Sequence, residues 1–548
     1  MLPAAKQAAC HSNAFHDAGT STTAMGTAAT GGVPAAFRGA VLWRPKMTAK
    51  KLLRITGAQI VQLDEPPSVL DGTDLWVADG RVLALLPTGT AAPMEGPVET
   101  LAFQKALVIP GLINCHSHSA SSLLRGCIGG VPLDLFVLDA QARRAPKPLR
   151  QVRVAVMLQA TEMLRRGVTA TVDHFRHAGL PTVEAVSAVF SAYQEVGLRA
   201  AVAPMYEDRR YTDSLPIDQA ELPPGVRKRW FGSHPPAPEN YFAMMEEIAT
   251  EWRRRDRLQL LLGVDGPQRC TPHLLELTGD FAARHGIGLH THVLEAKTQA
   301  LVAPPEHGGS FVAYLDRFGL IGPSSSLAHF VWCTARDIEI AAERRVNVVN
   351  NPVSNLLLGS GLQPTVRLLK AGINVALGSD GSSGNAISMF EQAKFSMLLS
   401  RISEPDCDRW ITAPRALRMA TTNGAAVLGE RGSLGVISPG AQADLAIIDL
   451  SKRAYRPLGD IWNHLVMYET GENVDTVLVG GEVVYRHGRC CKVDEEALLL
   501  EAEELAVADR EANEPFLAEA RAERPAFQSL ILDALRRRIS LERFAHLD

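Results

Sequence analysis

Short β-branched apolar runs alternate with longer helical stretches through the middle of this chain, and no other feature constrains its fold as much. The runs occupy residues 107–114, 168–172, 199–203, 258–264, 288–292, 326–330, 346–349 and 373–377. Helical periodicity falls between them, for example over 151–165, 274–284, 335–343 and 366–370. A strand buried on both faces reads as a continuous apolar run, and repeated strand–helix units place such strands parallel in one sheet. Eight units of this kind predict an α/β chain built on a (β/α)8 TIM barrel over 109–426. A doubly wound open sheet is the structural rival, but no glycine-rich nucleotide turn follows the first strand. The stretch 207–240 is long, polar and proline-rich, which predicts a loop over the barrel mouth.

Both ends of the chain carry a different texture. Residues 52–108 read as short strands broken by turns, with Asp79-Gly80 as a hairpin turn. The same texture returns at 440–450 and at 474–485, where Gly480-Gly481 forms the turn. These halves predict a small composite β-sandwich domain made from 47–108 and 427–494. Residues 495–548 predict a C-terminal helical segment, with amphipathic periodicity over 495–513. Residues 1–46 are rich in Ala, Gly and Thr, with Asp17 their one acidic residue, and predict a disordered or over-extended tail before Met47. They lack the continuous apolar core of a secretory signal, and a transit peptide is the alternative.

Bulk properties exclude several classes. A net charge of −4 offers no basic footprint for nucleic acid. No apolar run approaches the roughly 18 residues of a membrane span. The eight cysteines form no CxxC pair, which disfavours a thiolate zinc site and suits reduced thiols in the cytoplasm.

Barrel enzymes work at the C-terminal ends of their strands. The first strand leads into Pro110-Gly111-Leu112-Ile113-Asn114-Cys115-His116-Ser117-His118. Side chains alternate along a strand, so His116 and His118 share a face. Other strand ends carry His290-Thr291-His292-Val293-Leu294-Glu295, His329, and Gly378-Ser379-Asp380-Gly381. Three histidines and one carboxylate suit a zinc-like ion with an open position for water, whose pKa such an ion lowers to about 7. Glu295 stands where strand turns into loop, in reach of a substrate. His290 lies two residues deeper than His292 and reads as a supporting or packing residue. His174 follows the second strand, where it is expected to line the substrate pocket.

In these motifs the chain resembles the amidohydrolase superfamily, in particular the branch of s-triazine hydrolases, guanine and cytosine deaminases, and methylthioadenosine/adenosylhomocysteine deaminases. Leu327-Ala328-His329, Asn351-Pro352-Val353-Ser354-Asn355 and Met419-Ala420-Thr421-Thr422-Asn423-Gly424 extend the likeness. The resemblance implies that His116, His118, His292 and Asp380 hold the metal. It implies that Glu295 shuttles a proton, that His329 holds the attacking water or developing oxyanion, and that Asp380 takes the water's proton. Binuclear relatives use a carboxylated lysine on strand 4, and 258–264 contains none, so one divalent ion is expected, Zn2+ or Fe2+. Where many relatives carry a histidine at the end of strand 4, this chain has Asp265-Gly266-Pro267-Gln268; where many have His-Asn-Pro after strand 7, it has Asn350-Asn351-Pro352. Asp265, Gln268 and Asn350 are therefore expected to contact substrate.

The expected activity is that of an aminohydrolase, in which metal-bound hydroxide displaces an amino or amine group from a nitrogen heterocycle. Hydrolytic dehalogenation, or amide or urea hydrolysis, on the same centre is the alternative, and a non-catalytic scaffold a more distant one. A cytidine-deaminase-type zinc fold needs a PCxxC element that this chain lacks. The partner is a small-molecule substrate, not nucleic acid or membrane, and the assembly a homo-oligomer, dimer or larger.

Overall fold

The computed structural model describes residues 51–127, 130–232, 235–307, 309–541 and 543. The expected N-terminal tail, 1–46, lies outside them. Eight parallel strands form the centre. They are β1 Leu112–His118, β2 Val168–Phe175, β3 Arg199–Tyr206, β4 in two pieces (Leu258–Leu260 and Gly263–Val264), β5 His290–Val293, β6 Ser326–His329, β7 Asn347–Asn350 and β8 Asn374–Leu377. Parallel pairing runs in order from β1 to β4 and from β5 to β8. A bridge between Leu262 and Leu289 joins β4 to β5. Just past β8, Asp380 and Gly381 pair with Ser117 and His118 of β1, which closes the ring. Closure removes every sheet edge and puts helices on the outer face, as in a TIM barrel.

Burial explains the unbroken apolar runs. β2, β6 and β7 are buried at every position. Inward side chains Ile113, Cys115, Ala170, Val172, Ala201, Ala203 and Val349 fill the barrel. Outward ones such as Leu112, Val168, Val202 and Val348 pack under helices that include Leu149–Arg165, Val183–Val196 and Pro272–His285.

One expected strand divides. The run 107–114 straddles Val98–Pro110, which belongs to an outer sheet, and β1, which begins at Leu112. Both segments are buried, so hydrophobicity shows no break between them. Gly111 is the pivot: a Cβ there would overlap the Thr169 side chain.

The outer sheet draws strands from both chain ends. Its order is Arg489–Cys490, Glu482–Arg486, Val474–Val479, Leu445–Asp449, Val98–Pro110, Leu52–Gln62, Thr73–Ala78 and Arg81–Pro87, with Ser68–Leu70 on Leu52–Gln62. Leu445–Asp449 runs antiparallel to Ala106–Pro110 and joins the two ends. Hydrogen bonding is continuous through all nine strands.

The C-terminal helix runs over Glu495–Arg536, well beyond the expected 495–513. Pro515 and Pro525 read as helix breakers, yet both lie inside it. Asp494 caps it by accepting from Ala497 N–H. Tertiary packing offsets the prolines: Phe527 and Ile531 are fully buried against Leu135, Leu138 and Trp230. The stretch 207–240 is partly helical, with Pro224–Phe231 tied to this helix by Trp230 Nε1 donating to Glu523 at 2.7 Å. Among the described residues, no helix is long and apolar enough to cross a membrane, and the seven described cysteines are free.

Candidate metal centre and catalytic cavity

The strand ends converge as their alternation requires. His118 Nε2 lies 3.2 Å and His116 Nε2 3.4 Å from Asp380 Oδ1, and His292 Nε2 lies 3.3 Å from His118 Nε2. Ligands held at 2.0–2.1 Å around a tetrahedral zinc stand about 3.4 Å apart, so these separations match that geometry. His116 Nε2 is buried with no hydrogen-bond partner among the described residues, which a cation would answer. Each histidine is fixed through its other nitrogen. His118 Nδ1 donates to His174 O at 2.6 Å and His292 Nδ1 to Asp265 O at 2.7 Å, which in the neutral rings leaves the Nε2 lone pairs to face a cation. His116 Nδ1 meets His290 Nε2 at 2.7 Å. The donor set therefore fits one divalent ion.

Backbone strain aims several of these groups. Leu294, His329, Phe330 and Asp380 have φ of +54°, +70°, +51° and +63°, a left-handed region that non-glycine residues seldom adopt. Such strain persists only where the surroundings hold it, and it gathers at functional sites. These turns end β5 and β6 and follow β8. Asp380 is further held by Ser354 Oγ, which donates to Oδ2 at 2.5 Å, and by Gly381 N–H on Oδ1 at 2.8 Å.

Glu295 is buried, with Oε1 3.7 Å from His329 Nδ1. Burial, reinforced by the negative charges of Asp380, Asp265 and Asp134, pushes its pKa well above the usual carboxylate range. His329 Nδ1 donates to Asn355 Oδ1 at 2.9 Å, so Nε2 carries the lone pair and stands 3.8 Å from Asp380 Oδ2. Burial lowers the His329 pKa to about 4 and keeps the ring neutral.

A cavity of about 930 Å³ opens above these groups. Leu133, Phe136, Val137 and Leu358 give it an apolar wall. Asp265 and Gln268 line it. Burial alone would raise the Asp265 pKa, but the Arg269 guanidinium hydrogen-bonded to it holds the carboxyl well below the usual range. Gln268 is buried, and its Oε1 has no partner among the described residues.

Two expected substrate contacts are not in the cavity. His174 lies within β2, so its ring points into the barrel: Nε2 donates to Gly263 O at 3.0 Å, and the ring packs 4.7 Å from that of His292. With His116 and His292 it makes one group that could face a cation, and His116, His329 and Asp380 make another that includes a carboxylate. Phe175, Arg176 and His177 line the cavity instead. Asn350, the last residue of β7, turns away and donates to Thr365 and Ser396 hydroxyls at 3.2 and 3.3 Å. Alternation gives the inner position to Asn351, 3.4 Å from His329 Nδ1.

Sequence reasoning missed other residues. Ser354 follows Asn351-Pro352-Val353 and holds Asp380 through its hydroxyl. Arg269 lies four residues from Asp265, across the turn Pro267–Arg269, and also pairs with Glu207. Asp509, on the C-terminal helix, lines the cavity and pairs with Lys147; no local signal marked it.

This combination, a closed parallel barrel with a His3Asp donor set at its C-terminal mouth, defines a metal-dependent hydrolase class. The amidohydrolase family model matches residues 107–484. A 5-methylthioadenosine/S-adenosylhomocysteine deaminase from Pelotomaculum thermopropionicum is 30% identical over 462 residues, which cover 83% of this chain and 98% of the relative. An adenosine deaminase from Xanthomonas campestris, solved with bound zinc, superposes with a TM-score of 0.73 at 26% identity, over 84% of this chain and 99% of its own. A triazine hydrolase from Arthobacter aurescens has a TM-score of 0.74 at 21% identity, over 83% and 100%, and shares the fold. The chain belongs to the amidohydrolase family. It is a hydrolase acting on carbon–nitrogen bonds other than peptide bonds.

Proposed function

We propose that this chain is an aminohydrolase with one divalent ion, replacing an exocyclic amino or amine group on a nitrogen heterocycle with oxygen. One observation carries the reading: a buried carboxyl, Glu295, whose pKa burial pushes upward, stands 3.7 Å from His329 beside the donor set. Deamination needs such a group, because the ring nitrogen must gain a proton as water adds. His116, His118, His292 and Asp380 hold the ion, most simply Zn2+, with Fe2+ the alternative. When bound, it supplies a water ionised near neutral pH.

The remaining work falls to the protein. Asp380 Oδ2 takes a proton from the attacking water. His329 Nε2 accepts a hydrogen bond from that water and orients it. Glu295 gives its proton to the ring nitrogen, takes the proton of the newly added hydroxyl and passes it to the leaving amine; the water proton held by Asp380 then restores the acid form of Glu295. The apolar wall of Leu133, Phe136, Val137 and Leu358 covers the ring, and Asp265 and Gln268 read its edge.

Two of the three named relatives are deaminases of adenosine compounds, which supports a purine-like substrate, and the third is a triazine hydrolase. Gln268 argues for a ring edge with a different hydrogen-bond pattern from the one a histidine reads. We also read the outer sheet as a composite sandwich-type domain from 47–108 and 427–494, because Leu53, Ile55, Val108, Leu445 and Leu478 share one apolar cluster. A cytoplasmic homo-oligomer completes the reading. Product analysis tests it: ammonia or an amine from an aminated heterocycle supports it, whereas halide or carboxylate release with no amine sinks it.

A further inference from the structure

His118 and His292 direct their Nδ1 protons onto main-chain carbonyls, which only accept. Those two tautomers are fixed. His116 differs, because its Nδ1 meets another imidazole. His290 Nε2 lies 2.7 Å away, His290 Nδ1 lies 2.7 Å from Ser326 Oγ, and Ser326 Oγ lies 3.5 Å from Leu289 O. His116 and His290 are fully buried and Ser326 is 2% exposed.

This chain of hydrogen bonds has two directions, each with one proton per group. In the first, His116 Nδ1–H donates to His290 Nε2, His290 Nδ1–H donates to Ser326 Oγ, and the Ser326 hydroxyl donates to Leu289 O. His116 Nε2 then presents a lone pair. In the second, Ser326 donates to His290 Nδ1, and His290 Nε2–H donates to His116 Nδ1. His116 Nε2–H then points at Asp380 Oδ1, 3.4 Å away, and cannot bind a cation.

We infer that His290 and Ser326 are positioning residues that hold His116 in its metal-binding tautomer, with Ser326 deciding the direction. The inference rests on His116 being a ligand. Leu289 O, which accepts from Ser326 N–H at 2.8 Å and lies 3.5 Å from its Oγ, ends the first direction as Asp380 Oδ1 ends the second, and a cation at His116 Nε2 is compatible only with the first. Without the Ser326 hydroxyl, the first direction strands a buried N–H on His290 and the second strands only a lone pair. Orphaned buried N–H groups are the rarer and costlier of the two, so the balance moves to the incompetent tautomer.

The test is Zn2+ affinity of the purified full chain, measured by chelator competition, for wild type, Ser326→Ala, Ser326→Thr, His290→Gln and the His290→Gln/Ser326→Ala double variant. Loss of an outer partner of a metal-binding histidine weakens metal affinity by about 10- to 100-fold, and that loss is expected for S326A. S326T keeps a hydroxyl and restores binding. In H290Q the introduced amide oxygen accepts directly from His116 Nδ1–H, so in that background removing Ser326 changes nothing further. Wild-type affinity in S326A, equal losses in S326A and S326T, or an undiminished Ser326 effect in the H290Q background each overturn the relay. Failure of the wild type to bind one zinc overturns the ligand reading instead.

Discussion

At the scale of single residues, the proposed catalysis turns on Glu295 and its neighbours. Substituting Glu295→Gln leaves the donor set intact and removes the proton. We expect kcat/KM to fall by about 10²- to 10⁴-fold, the usual size of a general acid–base contribution, at unchanged metal content. The pH dependence has a definite sign. Burial raises the Glu295 pKa, so the proton that the proposed mechanism draws on is present at low pH and lost as pH rises through that raised value. A pH profile of kcat/KM should show this alkaline limb in the wild type, and the residual activity of E295Q should lack it. An unchanged limb in the variant would move the acid role elsewhere. Asp74 carries a second signed prediction, for stability. Burial opposes its charge, but hydrogen bonds from Thr56, Arg54 and Thr88 outweigh it and lower its pKa below 3.8. The stabilisation is full above 3.8 and disappears as pH falls through the lowered value. Asp74→Asn should lose about 1–3 kcal/mol at pH 7 in urea unfolding, with the gap to wild type closing in acid.

At the scale of elements, the junction between outer sheet and barrel rests on Gly111. Gly111→Ala forces its Cβ into Thr169. Overpacking of this kind costs about 1–3 kcal/mol, so thermal unfolding should show a clear drop; a melting temperature within error of wild type would mean that β2 yields. The strands themselves were legible in the sequence, because each parallel strand, buried on both faces, is an apolar run bounded by turns. The convergence of polar strand ends was legible as well: period-two alternation put His116 and His118 on one face, and both come within 3.4 Å of Asp380 Oδ1. The orientation of residues at strand ends was not. Positive φ at His329 and Asp380 involves no glycine and leaves no mark in the sequence. Asn350 was misplaced because facing depends on where a strand stops, and one residue of register exchanges inside for outside; His174 faces inward as alternation requires but lies within Val168–Phe175, too deep to line the cavity. Contacts between distant segments, Ser354 with Asp380 or Lys147 with Asp509, have no local signature at all.

At the scale of the whole molecule, the cavity is completed by a segment beyond the family match, which ends at 484. The helix Glu495–Arg536 contributes Asp509 to the lining and anchors Phe527 against Trp230, their rings 5.5 Å apart. Past its end, Arg543 donates to Val331 O and Cys333 O, both at 2.8 Å, just after β6. Phe527→Ala should destabilise this packing by about 3–5 kcal/mol. Hydrogen exchange should then lose protection along this helix before the barrel strands; uniform loss would show that helix and barrel unfold as one unit. The most direct test of the central claim is product identity. Metal-loaded wild type and E295Q, matched in metal content, are incubated with a panel of aminated and halogenated heterocycles, ureas and amides. We predict ammonia or amine released in equal amount with a hydroxylated ring, by the wild type far faster than by the variant. Halide or carboxylate as the only product, or equal rates from both proteins, would contradict the assignment.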